Sequence, residues 1–377
     1  MSCKRFAGGF FFALIAFVIF NAAVWYGWTK EITDPNRNAG DLLRIGYIRG
    51  HIANRYPGAV LLHNHLEMMD YNGKQAVDMV TVGDSYSQGG GGGFNRYYQD
   101  YIATYWHLNV LNINPDVIGG SNLDSAPIVT LSKLITSGYL DIIKPKYLLL
   151  ESSERLAVQR FTYFFDLKDT ATITDITKEF IHTNTKLETH KNFANKIRSS
   201  NDVDLHFIND GNFKFIFNNI EYLFSDKALG SKVVVTQLNK CLFTGLNCNT
   251  LIFYKDDIKN AKLATPENIA EVNRNLNNLA YILRSKGITL IFMPVVNKLT
   301  LYQPFIKHDN YPHSQFFEEL RKLPKSYQFI DTKKMLSSEL KNGEKDLFHE
   351  DDTHWSWKAS KAIFGSITLA DLANAKK

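Results

Sequence analysis

Cysteine is scarce, with three residues in 377 at positions 3, 241 and 248. A chain this long with so few is not a disulfide-stapled scaffold, and no histidine stands beside the Cys241/Cys248 pair to suggest zinc. An excess of charge of either sign is also missing. The formal net charge is +5, and Lys4 and Arg5 near the start supply two of those positives, so nothing marks a nucleic-acid-binding surface. Internal repeats are absent, and the one low-complexity stretch is Gly89–Gly93, which excludes fibrous and repeat architectures. With 45% hydrophobic and 21% charged residues, the chain can bury a full core and is not disordered.

Only one apolar run is long. From Phe6 to Trp28 it carries no charge and a single amide, Asn21. At ~1.5 Å per helical residue it covers the ~30 Å hydrocarbon core of a bilayer. Lys4 and Arg5 precede it and Trp25, Tyr26 and Trp28 close it, so the positive-inside rule leaves the N-terminus in the cytosol. Everything from about Lys30 onward is then extracytoplasmic. A signal peptide cut near Asn21-Ala22-Ala23 is the competing reading, but the apolar run continues through Val24 to Trp28, which favours an uncleaved anchor. No lipobox follows the run, because Cys3 lies before it. Export leaves Cys241 and Cys248 as either a local disulfide or two buried thiols.

After a linker rich in turn formers (Asp34 to Gly40), Asp41–Tyr47 reads as a short helix or extended piece. Apolar, β-branched runs at Val77–Val82, Leu108–Ile113, Tyr147–Leu150 and Thr289–Val296 read as buried strands. Helical spacing is found at Phe94–Tyr105, Ile128–Ile135 and Ile269–Ser285. The alternation predicts an α/β fold built on a doubly wound parallel sheet. It lapses between Phe161 and Ala264, a stretch read as an insertion or cap. The expected organisation is therefore a head and anchor over 1–29, a first α/β segment over 30–160, the cap over 161–264 and a second α/β segment over 265–377.

Two segments carry chemistry. In Gly83-Asp84-Ser85 the serine follows a strand end behind a glycine and opens toward a helix, which exposes its hydroxyl at the carboxyl edge of the sheet. Backbone N–H groups there can hold an oxyanion. Near the C-terminus, Asp351-Asp352-Thr353-His354-Trp355 offers an imidazole base and a carboxylate to fix its tautomer from one short loop.

Together these segments resemble the SGNH (GDSL-type) hydrolase superfamily, and within it the AlgX/AlgJ-like polysaccharide O-acetyltransferases. The likeness covers Asp41–Arg155 and about Asn268–Ala362 and leaves the insertion out. It implies a three-layer flavodoxin-like sheet with Ser85 as nucleophile, His354 as base and Asp352 as orienting carboxylate. Asp351 is the alternative, three residues before the histidine. Ser85 and either Gly119 or Gly120 would form the oxyanion hole. The superfamily's asparagine is absent after Tyr147–Leu150, where Glu151-Ser-Ser-Glu-Arg155 stands instead, so Arg155 would supply the missing donor. Tyr86, Glu151, Lys298, Tyr302 and Trp355 are expected to contact substrate.

The implied activity is transfer of an acetyl group through acyl-Ser85 to a hydroxyl of a cell-envelope or secreted polysaccharide. A membrane-bound O-acyltransferase would be the donor partner, and no metal or organic cofactor is needed. The implied location is an inner membrane, with a single span and the C-terminal domain in the periplasm. With water as acceptor the same residues make a carbohydrate esterase. A silent scaffold or glycan-binding protein is the reading from another class. Among lesser candidates, Gly89–Gly93 lacks the Gly-Lys-Ser/Thr of a phosphate loop and reads as a flexible substrate-facing loop. His63 and His65 lack a third metal ligand, and Asn297 joins Lys298 and Tyr302 at a strand end.

Overall fold

The structure, a computed structural model, describes residues 3–33, 39–55, 61, 63–93, 95–120, 122, 124–180 and 205–374. Most of the linker expected over 34–40 and the middle of the expected insertion lie outside them. Eight strands form among the described residues: β1 (Leu66–Glu67), β2 (Met79–Val82), β3 (Val110–Ile113), β4 (Tyr147–Ser153), β5 (Val233–Gln237), β6 (Thr250–Tyr254), β7 (Thr289–Val295) and β8 (Gln328–Phe329). Six make one sheet in the order β1-β3-β2-β4-β7-β8, parallel throughout. β2 and β3 are buried along their whole length, as strands covered on both faces must be, which is why they read as unbroken apolar runs.

Chain order reverses at β2, since the next strand, β3, lies on one side while β4, β7 and β8 step away on the other. The crevice between β2 and β4 is therefore a topological switch point, where open α/β sheets bind ligands at their carboxyl ends. The four expected strands are present. β4 runs three residues past its expected end, because Glu151, Ser152 and Ser153 keep pairing with Met293, Pro294 and Val295. The expected helix Phe94–Tyr105 starts late, at Tyr98, because turns occupy the chain ahead of it. Ala126–Thr136 and Pro266–Ser285 form as expected, the latter capped by the Thr265 side chain.

The insertion holds its own antiparallel pair, β5 with β6, outside the main sheet. Its first residue, Phe161, belongs instead to the main core, with its ring edge-on to Phe292 of β7 at 5.2 Å. A second apolar cluster joins Val24 and Ile32 of the N-terminal helix, Leu42 and Leu43 of the helix Asp41–Gly46, Phe215, Val233 and Ile252. The apolar helix runs from Cys3 through a π-helical turn at Trp25–Thr29 to Thr33, and residues 4–33 are long and apolar enough to cross a membrane.

Cys241 and Cys248 are disulfide-bonded at the tip of the β5–β6 hairpin. A loop this short contributes about 2 kcal/mol by chain entropy. The double substitution Cys241→Ser/Cys248→Ser should lower the Tm of the detergent-solubilised chain by a few degrees in scanning calorimetry. An unchanged Tm would show that the hairpin tip is already fixed without the bond.

Candidate active site

β2 ends at Val82 and the chain turns sharply. A side chain at Gly83 would overlap Glu151 and Ser87, so only glycine lets the turn lie this close to β4. Successive tight turns follow rather than a helix, with the Ser87 amide donating to the Asp84 carbonyl (2.9 Å) and the Gly90 amide to the Ser85 carbonyl (2.8 Å). Ser85 is partly open while Gly83, Asp84, Tyr86 and Ser87 around it are buried.

Asp84 faces inward. Its Oδ2 accepts from the Ser153 amide (2.9 Å) and from Arg160 Nη1 (2.6 Å), tying the turn to the end of β4. Burial alone would raise the Asp84 carboxyl, but Arg160 and the Ser153 amide hold it below the usual carboxylate range. Beneath the turn, Asn112 and Gln99 donate to the Ser87 carbonyl, each at 2.9 Å. Ser87 Oγ donates to Glu151 Oε2 at the same distance.

The second half of the site is a closed loop, Phe348–Trp355, whose ends bridge in antiparallel fashion. Ser85 Oγ lies 2.7 Å from His354 Nε2, and His354 Nδ1 lies 2.6 Å from Asp352 Oδ1. Burial alone would lower the His354 imidazole, but the Asp352 carboxylate, helped by Asp41, holds it above its ordinary value. Asp352 in turn sits well below the usual carboxylate range: His354 and Arg55 outweigh the burial that would raise it. Asp351 is excluded as the partner of His354, because its carboxylate accepts from Arg55 Nη2 (2.9 Å) and the Gly40 amide (2.8 Å).

Sequence reasoning missed two contributors. The Asp41 amide donates to Asp352 Oδ2 (3.0 Å), and Asp41 accepts from the Thr353 amide (2.7 Å) and hydroxyl (2.5 Å). Arg55 also donates to the Gly91 carbonyl at 2.5 Å. Nothing local announces either residue, since each is close to 300 positions or more from the loop it holds.

The side chains expected to touch substrate build the site's frame instead. Lys298 is buried, and its Nζ donates to the carbonyls of His349 (2.7 Å), Glu350 (2.8 Å) and Asp352 (3.1 Å). Burial pulls its ammonium down to about 8. Tyr302 accepts from the Phe348 amide (3.3 Å), Tyr86 donates to the Thr353 carbonyl (2.8 Å), and Trp355 packs edge-on against Tyr86. Glu151 is fully buried under the Ser85 turn, where burial and Asp84 push its carboxyl well up. Asn297 donates its amide to Glu154 and accepts from that of Arg155. A substrate role for these residues conflicts with their burial.

Arg155 Nη1 is 3.4 Å from Asp257 Oδ1, and its guanidinium lies over the Tyr254 ring, so the insertion holds it. Gly119 spends its amide on the Pro115 carbonyl, which leaves Gly120 of the pair as the oxyanion candidate. The glycine run is no loose loop. Gly89, Gly91, Gly92 and Gly93 have φ between +69° and +89°, and a side chain at Gly90 would overlap the His354 imidazole. His65 bonds Asp100 and Glu67 through its two ring nitrogens at 2.7 and 2.8 Å, while His63 is exposed and sets its ring edge-on against His107. Asp41, Asp352 and His354 place ligand atoms within 4.8 Å of one another, but a cation there would have to displace the Asp352–His354 hydrogen bond.

No protein-family model, no curated protein and no solved structure matches this chain. The geometry therefore stands without a relative to lean on.

Gly90→Ala is expected to push His354 off Ser85. A misplacement of about 1 Å should cost about 10²-fold in the rate of Ser85 labelling by a fluorophosphonate. Unchanged labelling would show that the glycine loop yields without moving the imidazole.

Proposed function

We propose that this chain is a membrane-anchored, extracytoplasmic serine O-acetyltransferase that acts on a cell-envelope or secreted polysaccharide, with an SGNH-like three-layer core. The observation that carries the reading is the continuous chain of short contacts from Ser85 Oγ through His354 to Asp352. A silent scaffold has no need of a partly open serine aligned on a carboxylate-oriented imidazole. The disulfide and the N-terminal apolar helix support a place outside the cytosol.

In the first half-reaction Ser85 Oγ attacks the acetyl carbonyl carbon while His354 Nε2 takes the hydroxyl proton. The tetrahedral oxyanion rests on backbone N–H groups, with those of Ser85 and Gly120 as the candidates. Collapse returns the proton to the leaving group and leaves acetyl-Ser85. In the second half-reaction His354 takes the proton of a sugar hydroxyl, which attacks the ester and regenerates Ser85. A membrane-bound O-acyltransferase is the proposed acetyl source. Water in place of the sugar gives the esterase.

The test uses the full chain in detergent with p-nitrophenyl acetate, with and without an oligosaccharide acceptor, followed by mass spectrometry. Acetylated sugar that disappears in Ser85→Ala and His354→Ala supports the transferase. Serine-dependent release of free acetate alone makes the chain an esterase, and no serine-dependent turnover sinks both.

His354 acts as a base only when neutral, and Asp352 raises its protonation range. Activity should therefore fall as pH drops through an apparent pKa above 6.5, the ordinary histidine value. Asp352→Asn should reduce kcat by roughly 10⁴, the size of the effect when the triad aspartate of a serine protease is amidated. A flat pH–rate profile from pH 5 to 9 would remove His354 from the mechanism.

A further inference from the structure

The helix Asp210–Glu221 in the insertion has two unlike faces. Gly211, Asn212, Phe215 and Asn218 are buried against the protein. The opposite face carries Phe213, Phe217 and Ile220, and the chain just beyond adds Leu223 and Phe224; Phe217 is 62% exposed and Phe224 87%. The spacing of 213, 217, 220 and 224 keeps these side chains in one stripe if the helical path is continued. An apolar stripe of this kind open to water is a cost that needs an occupant.

The contacts this helix makes with the apolar N-terminal helix, from the edge of the stripe at Phe213 and from the buried face, say what that occupant is. Phe213 packs on Phe17 (6.2 Å) and Phe20 (4.8 Å) of the apolar N-terminal helix, and Phe215 stacks with Trp28 (5.8 Å). Asn212 Nδ2 donates to Asn21 Oδ1 (2.8 Å) and Asn212 Oδ1 accepts from the Thr29 hydroxyl (2.5 Å). The lone amide in the apolar run thus ties it to this helix. Phe17 and Phe20 lie inside the stretch that must sit in hydrocarbon if residues 4–33 cross a bilayer, so a helix touching them lies at the bilayer surface. Charge agrees. A cleft of about 550 Å³ beside the end of the anchor is lined by Thr33, Arg44, Tyr47, Lys214 and Lys232 and by no acidic residue, with Lys214 also paired to Asp210.

We propose that Asp210–Glu221 is an interfacial helix. Its Phe217/Ile220/Phe224 face lies in the lipid on the side of the membrane that holds the catalytic domain, and the Arg44/Lys214/Lys232 cleft faces lipid phosphates. The proposal rests on the reading of the N-terminal helix as a membrane span. It gives the catalytic domain a second point of attachment and fixes its orientation, which a single-helix tether alone would leave free to swing.

The test reconstitutes the full chain, with Cys3→Ser and the disulfide intact, into phosphatidylcholine/phosphatidylglycerol vesicles. A nitrobenzoxadiazole probe is placed on single cysteines introduced as Phe11→Cys, Phe217→Cys, Phe224→Cys or Tyr281→Cys. All four native side chains are exposed, so the fold tolerates them. Acyl-chain nitroxide lipids should quench the probes at 217 and 224 by about half or more, as for a helix buried ~5–10 Å into the interface. The probe at 11 should also be quenched and that at 281 should not. Quenching at 11 with none at 217 and 224 overturns the interfacial helix while leaving the anchor in place. No quenching at 11 removes the span and the proposal with it, and equal quenching at 281 overturns the proposal as non-specific partition.

Discussion

Three consecutive carboxylates, Glu350, Asp351 and Asp352, are all buried beside His354, and the architecture around the site is organised by the need to compensate them. A buried carboxylate without partners would cost several kcal/mol or take up a proton. Here each has its own partner. Arg55 and the Gly40 amide neutralise and hydrogen-bond Asp351, His354 and the Asp41 amide hold Asp352, and His51 pairs with Glu350. Lys298 sits inside the loop that carries all three and gathers its carbonyls. That cation reinforces a closure that the Phe348–Trp355 bridge, Arg55 and Asp41 also hold, and so helps present Asp352 to His354.

This division of labour separates two roles that adjacent aspartates could be thought to share. Asp351 anchors and Asp352 orients. Because Arg55 and Gly40 occupy Asp351, only Asp352 is left to face the imidazole, and the tautomer with hydrogen on Nδ1 is the one that leaves Nε2 free to accept from Ser85. The glycine run completes the arrangement from the other side. Its positive φ angles bring backbone where side chains would otherwise stand, so His354 packs on main chain and cannot retreat from the serine.

The pieces written in short, contiguous text were legible in the sequence: the buried strands β2, β3, β4 and β7, the long amphipathic helix Pro266–Ser285, and the two motifs that carry Ser85, Asp352 and His354. The two-residue strands β1 and β8 were not, because they are too short to show a period. Lys298 and Tyr302 are expected from the sequence to contact substrate, yet the apolar residues around them (Val295, Val296, Leu299, Leu301) already mark the stretch as buried. A lysine in such surroundings is a structural cation more readily than a substrate ligand. Asp41 and Arg55 left no trace, since what they do depends on partners close to 300 residues away. Arg160 has no place in the sequence reading, although it is buried more deeply than Arg155 and binds the aspartate of the Gly-Asp-Ser motif.

The same long-range contacts link the site to the segment that follows the apolar N-terminal helix. Gly40 and Asp41 begin the helix Asp41–Gly46, whose Leu42 and Leu43 share an apolar cluster with the end of the N-terminal helix and with the insertion. If this helix undocked, Asp351 would lose the Gly40 amide, Asp352 would lose the Asp41 amide, and Thr353 would lose both of its bonds to Asp41. The buried carboxylates would then be left short of donors, a penalty that falls on the undocked state and not on the docked one. Docking of the helix Asp41–Gly46 and presentation of Asp352 to His354 are therefore favoured by the same hydrogen bonds. The Ser85–His354–Asp352 array is stable in this geometry only while the segment that follows the N-terminal helix is in place.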